Sequence, residues 1–250
     1  MKIKILCMML LWLMLSGNAA AQDKELTQAF LHGIDQYKAG DFADAVQSFQ
    51  KIADAGIRNG KLFYNLGNAY LKTGKIGPAM LWYERALQLI PDDPDLRFNY
   101  EYALTLLKDD RGEKNISIVR ILFFWKYMLS PSVVRITALV LNALFWITVT
   151  VRLVMHKKLL KTPIVLTLIL ASVFSLTAIY NYYESGYFRM AVILSEEVPV
   201  RSGLSDDATE LFRLHAGSKI QIEREKQGYY RIVFTEDKIG WIRSADAGVI

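Results

Sequence analysis

Two uninterrupted apolar stretches constrain this chain more than any other feature. Residues 133–154 and 163–180 hold no acidic side chain, and their only fixed charges are Arg135 and Arg152 near the ends of the first. At 1.5 Å per residue such runs make helices of about 33 and about 27 Å, against a bilayer hydrocarbon core of about 30 Å. Both read as membrane spans, 132–155 and 162–183, and the short connector 156–161 cannot hold a domain. Backbone polar groups in lipid must be satisfied within the helix, so this part of the chain is expected to be a transmembrane hairpin.

The connector carries Lys157, Lys158 and Lys161, with Arg152 just before it, which suits a cytoplasmic turn. Arg111, Lys114, Arg120, Lys126 and Arg135 crowd the opposite approach, so the amino terminus has to settle the orientation. There Lys2 and Lys4 precede the apolar run 5–15 and then Ala19-Ala20-Ala21, the pattern of an export signal (1–21) cleaved after Ala21. Cys7 lies before most of that run, whereas a lipidated cysteine would follow it. Export of the next segment puts both ends of the hairpin outside the cytoplasm. Trp125, Tyr127, Tyr180, Tyr182, Tyr183 and Tyr187 then form an aromatic belt on the outer side. The segment 113–131, with its apolar stretch 117–129, is too short to span and is expected along the outer interface. Asn142, Ala171, Ser172 and Ser175 either pair the two helices or dock partner helices.

Charge and composition exclude several functions. The net charge of +5 is not a nucleic-acid signature, because residues 113–190 hold nine Lys and Arg against two acidic residues. Residues 22–112 and 191–250 are each slightly acidic, with 11 against 13 and 8 against 10. Neither span contains a carboxylate for an ion or proton relay. The sole cysteine, Cys7, falls within the export signal, and His32, His156 and His215 lie in three different segments. No Ser-His-Asp set, metal cluster or phosphate loop is present, so neither an enzyme nor a cofactor is expected. Asp92 with Asp93 and Asp109 with Asp110 read as capping and solvated pairs.

Residues 22–112 contain an internal repeat. Gly33 and Gly67, Gly40 and Gly74, Ala45 and Ala79, Phe49 and Tyr83, and Ile52 and Ala86 are each 34 positions apart. The second copy, Phe63-Tyr64-Asn65-Leu66-Gly67-Asn68-Ala69-Tyr70 with Gly74, Ala79, Tyr83, Ala86 and Pro91, resembles the tetratricopeptide repeat. The small residues let paired helices approach closely while Phe49, Phe63, Leu66 and Tyr83 fill the space between them. His32 stands where the pattern has leucine and is expected to be partly buried. Pro91-Asp92-Asp93-Pro94 ends one helix and caps the next, and Glu101 occupies the glycine position of that next helix, so the domain reads as two repeats plus a capping helix. The resemblance implies a concave surface for a partner, lined by Tyr37, Tyr64, Asn65, Asn68, Lys72 and Asn99. Asparagines at 65 and 68 also belong to the common pattern and can equally satisfy helix ends or solvent.

Residues 190–250 change to short alternating runs, and five strands of a small barrel are expected. Val200-Arg201-Ser202-Gly203, Leu214 with Gly217, and Gly240-Trp241-Ile242 resemble a bacterial SH3-like domain. Tyr229 and Trp241 are its surface candidates for peptide or cell-wall glycan, although Trp241 suits the core as well. The order of modules, with Tyr64-Asn65-Leu66-Gly67-Asn68-Ala69-Tyr70, Trp82-Tyr83-Glu84-Arg85-Ala86-Leu87 and Pro91-Asp92-Asp93-Pro94-Asp95-Leu96, resembles the BatE family of bacterial aerotolerance operons. That resemblance implies an inner-membrane adaptor with periplasmic domains, beside von Willebrand A-domain proteins and a MoxR-type ATPase. The expected fold class is thus a multidomain membrane protein: an all-α tetratricopeptide solenoid, a two-helix transmembrane hairpin and a small all-β SH3-like barrel. Its partners would be proteins or peptidoglycan, and not nucleic acid.

Overall fold

The computed structural model describes residues 25–109, 124–155, 161–187, 189–235 and 237–250. The export signal, the segment 110–123 and residues 156–160 with His156 lie outside the described residues. Helices α1 (25–39), α2 (Phe42–Asp54), α3 (Gly60–Lys72) and α4 (Ile76–Leu89) form two antiparallel pairs, and α5 (Pro94–Thr105) follows them.

The 34-residue spacing has a direct structural cause. A methyl group on Gly33 would lie 2.7 Å from the Phe49 ring, and one on Gly67 would lie 2.6 Å from the Tyr83 ring. Each pair therefore closes by seating the ring of its second helix on a glycine of its first. Gly40 and Gly74 end α1 and α3 with φ of +91° and +75°, a conformation that costs any L side chain energy. Asn59 caps α3 by accepting from the Lys61 and Leu62 amides, and Asp93 caps α5 by accepting from the Leu96 amide at 3.0 Å. His32 is exposed, not partly buried as expected, because it points away from the α1–α2 contact made by Phe30 and Gly33.

Helices α7 (Pro131–Met155) and α8 (Lys161–Tyr187) pack on each other, and both are long and apolar enough to cross a membrane. Asn142 Nδ2 donates to Ser175 Oγ at 2.9 Å, so these polar residues pair the two helices. The short helix α6 (Phe124–Met128) lies against the end of α8. Trp125 Nε1 donates to Thr177 Oγ1 at 3.3 Å, and Lys126 Nζ stands 4.5 Å from the Tyr180 ring centre.

The remaining chain is an antiparallel sheet of seven strands where five were expected: β1 (Arg189–Ile193), β2 (Glu197–Arg201), β3 (Glu210–His215), β4 (Lys219–Lys226), β5 (Tyr229–Thr235), β6 (Lys238–Arg243) and β7 (Ala247–Val249). Their order is β3-β2-β6-β5-β4-β1-β7. Val198, Val200, Leu214, Ile220, Ile222, Tyr230, Ile232, Phe234 and Ile242 pack with Ala191, Ile193 and Ala247 in one core, so residues of all seven strands face each other across a curled sheet. Irregular register at Val200/Arg201, Ile222/Arg224 and Val233/Thr235 supplies the bends that curling needs.

Strand β1 belongs to two cores at once. Ala191 and Ile193 point into the sheet, while Val192 between them is fully buried among the helices. Leu194 and Ile250 pack against that helical core as well. Sheet and repeat helices thus share a continuous apolar boundary along α4.

Candidate protein-interaction site

Helices α1, α3 and α5 stand side by side and present the face on which the sequence places the partner. Of its six candidates, three turn inward to one another. Tyr83 Oη donates to Asn68 Oδ1 at 2.7 Å, and Asn99 Nδ2 donates to the same oxygen at 2.9 Å and to Tyr64 Oη at 3.0 Å. Asn68 is buried, so its side chain is a structural hub of the helical core and not a free ligand for a peptide. Burial, with Tyr64 and Tyr37 close by, holds the Tyr83 phenol far above its ordinary range, which fixes it as a donor. Tyr37 is half-buried against Phe42, ring centres 5.1 Å apart, and burial raises its phenol too.

Asn65 and Lys72 remain at the surface side of α3. Neither makes a hydrogen bond or ion pair among the described residues, and the same holds for Lys38, which stands one repeat before Lys72. The sequence reading missed the apolar side chains on this face. Phe98 is 74% exposed and Tyr102 54%, on successive turns of α5, and Leu31 is exposed on α1. Phe98 is 34 positions after Tyr64 and 68 after Phe30, whose rings rest near Tyr83 and Phe49 of the following helix. No helix among the described residues follows α5 in that way, which leaves Phe98 open. The 34-residue register carried that signal.

The opposite side of the helices is covered by the sheet. Glu84 on α4 is buried, with Lys219 Nζ at 2.6 Å from one carboxylate oxygen and Tyr100 Oη at 2.7 Å from the other. Arg85 donates to the Val249 carbonyl at 2.6 Å while its guanidinium lies 4.6 Å from the Trp82 ring centre. Beyond α5, Asp109 accepts from the His215 amide and Ser218 Oγ, both at 2.6 Å, and its other oxygen meets His215 Nδ1 at 2.8 Å. Burial alone works to raise the Asp109 carboxyl. The bonds from Ser218, the His215 amide and the His215 ring outweigh it and hold the group below the usual carboxylate range. Glycines permit the close fit: a methyl group on Gly77 would lie 2.6 Å from the Leu194 carbonyl oxygen, and one on Gly248 would lie 2.5 Å from Leu81.

Residues 30–94 match the tetratricopeptide repeat. The match spans both helix pairs and ends where Pro94 opens α5. No curated protein matches the chain. A solved structure titled as the crystal structure of PcrH in complex with the chaperone binding region of PopB is similar over 33% of this chain and 68% of that one, with 25% identity and a TM-score of 0.32. Tetratricopeptide repeats stack into surfaces that hold peptides or partner helices, so the repeats here form a protein-interaction module.

The sheet candidates sit apart from the repeats. Trp241 is half-buried and lies on the side of β6 opposite Ile242, so it is not a core residue. Its cross-strand neighbours are Arg201 on β2 and Arg231 on β5. Tyr229 Oη donates to Asp206 Oδ1 at 3.2 Å. Among the described residues no group of three or more His, Cys, Asp or Glu side chains is placed to hold a metal ion.

Proposed function

We propose that this chain is a non-catalytic, membrane-anchored adaptor whose repeat face on α1, α3 and α5 captures a protein partner outside the cytoplasm. The observation that carries the reading is the division of the helices into a covered side and an open side. The sheet seals α4 through Val192, Glu84 and Arg85, and leaves Leu31, Phe98 and Tyr102 open beside Asn65, Lys38 and Lys72. Such a surface suits a segment with aromatic or aliphatic anchors and a carboxylate toward the lysines, with Asn65 free to bond its backbone. Modules that touch must lie on one side of the bilayer, which two spans allow; the export signal would make that side the periplasm. The curled antiparallel sheet supports an SH3-like barrel. The BatE resemblance supplies the suggested setting, an inner-membrane complex for aerotolerance with von Willebrand A-domain proteins and a MoxR-type ATPase.

A photo-crosslinking amino acid in place of Asn65, Lys72 or Phe98 in native membranes tests this directly. Adducts to one envelope protein from these positions, and none from a substitution at Lys238 on the sheet, are expected. Adducts that come only from the sheet position would remove the repeat face from recognition.

A second reading is a cell-wall tether, and the placement of Trp241 on the outer side of β6 between Arg201 and Arg231 favours it. Because the sheet shares a core with the repeats, the whole chain is the right material. Co-sedimentation with purified peptidoglycan, lost on Trp241→Ala, would support the tether, and its absence in the parent protein would end it.

A further inference from the structure

We infer that the β4–β5 hairpin tip is a second membrane contact, built to rest on the anionic phospholipid headgroups of the bilayer that α7 and α8 cross. The inference depends on reading those helices as spans, and the strand register carries it. The apolar part of α8 ends at Tyr183, the helix runs on to Tyr187, and one residue later β1 begins at Arg189. Four helical residues and that link keep Arg189 within roughly 13 Å of the end of the apolar helix. A strand leaving a span runs away from the bilayer or along it, because its polar backbone cannot enter the hydrocarbon.

Strand β4 is antiparallel to β1, with Ile222 opposite Arg189 and Lys219 opposite Val192. Its last four residues, up to Lys226, therefore overshoot the start of β1 by about 13 Å on the membrane side. The two-residue turn Gln227-Gly228, both with positive φ, closes the tip before β5 returns at Tyr229.

The tip has the chemistry of a headgroup contact. Arg224 and Lys226 are exposed and make no ion pair among the described residues. The acids nearby are occupied: Glu225 by Arg189 at 3.1 Å, Glu223 by Arg231 at 2.7 Å, and Asp206 by Arg243. Asp207 adjoins Asp206 as an exposed acid. Tyr229, half-buried, follows the turn directly, and tyrosine favours the bilayer interface, while Tyr230 beside it is buried in the sheet core with Arg189 5.9 Å from its ring centre. Tyr182, 77% exposed, marks the same interface on α8.

The test uses the full chain with Cys7→Ser, in nanodiscs of phosphatidylcholine with or without phosphatidylglycerol. Spin labels are placed at Gln227→Cys on the tip, Glu196→Cys at the far end of the sheet and Ser172→Cys within α8. The label at 227 is expected to collide with a headgroup-tethered nickel chelate several-fold more often than the label at 196, more so with phosphatidylglycerol. Arg224→Glu with Lys226→Glu should abolish the phosphatidylglycerol gain, roughly fivefold per charge, the equivalent of about 1 kcal/mol each. Equal collision at 227 and 196, while 172 reports lipid, overturns the tip contact alone. A water-exposed label at 172 overturns the span reading and the tip contact with it.

Discussion

Lys219 closes the boundary between sheet and helices by placing its ammonium 2.6 Å from the buried carboxylate of Glu84, 135 positions earlier in the chain. A buried carboxylate is costly unless paired, and here one oxygen has Lys219 and the other Tyr100. Lys219 itself is partly solvated, its side chain 29% exposed.

Removing the cation alone should therefore hurt more than removing the pair. Lys219→Ala is expected to cost about 2–3 kcal/mol, less than the roughly 3–5 kcal/mol of a fully desolvated pair. The double variant Glu84→Gln with Lys219→Met should recover at least half. Denaturant unfolding in detergent micelles measures both, and equal losses in the two variants would show that Glu84 does not depend on Lys219.

Gly77 separates the two modules' fates from the fold of the repeats. Gly77→Val drives a side chain into the Ile193 and Leu194 carbonyls and should lift β1 from α4, splitting one thermal transition into two. Gly74→Ala has open space but a φ of +75°, so it should lower stability by about 1–2 kcal/mol with a single transition kept. Two transitions in both variants, or in neither, would contradict this assignment.

The Asp109 contact predicts a direction with pH. Its carboxyl is held below the ordinary range in the folded state, so its stabilisation is complete above the unfolded value of about 3.9 and is lost as pH falls through the lower folded value. Asp109→Asn should be less stable than the parent near pH 6 and should converge with it below about pH 3. His215, Lys108, Glu197 and Arg213 surround the contact, so the difference between the two proteins is the quantity to follow. A gap that persists unchanged in acid rules out the carboxylate as its source.

Asn65 and Asn68 look alike in the sequence and should behave differently. Asn68→Ala strips the buried Tyr83 hydroxyl of its acceptor and should cost about 1–3 kcal/mol. Asn65→Ala should change stability by less than about 0.5 kcal/mol while weakening partner capture. Unfolding measurements paired with crosslink yield separate the two roles, and a stable Asn68→Ala protein would dismantle the proposed hub.

What the sequence made legible follows from periodicity. Gly33 with Phe49 and Gly67 with Tyr83 meet as their 34-residue spacing requires, and the two long helices begin and end within a few residues of the apolar stretches. Strand β1 escaped because Met190-Ala191-Val192-Ile193 has no alternation to read, being buried on one side by the sheet and on the other by helices. The sequence leaves Asn68 open between a ligand and a structural role, because a repeat position gives a residue's face but not what its neighbours leave unsatisfied. The Glu84–Lys219 and Asp109–His215 contacts join residues more than a hundred positions apart, and no local pattern marks either.

The dual membership of Val192 has a consequence for biogenesis. The repeat helices leave the ribosome first, the two long apolar helices next, and the strand that fills the slot along α4 only after both. Throughout that interval the helices carry an apolar gap with the nascent chain's own cognate strand still untranslated, the kind of surface that holdase chaperones retain. Release from such a chaperone would then wait on the delivery of β1, so the repeats complete their own core only after both long apolar helices have been made.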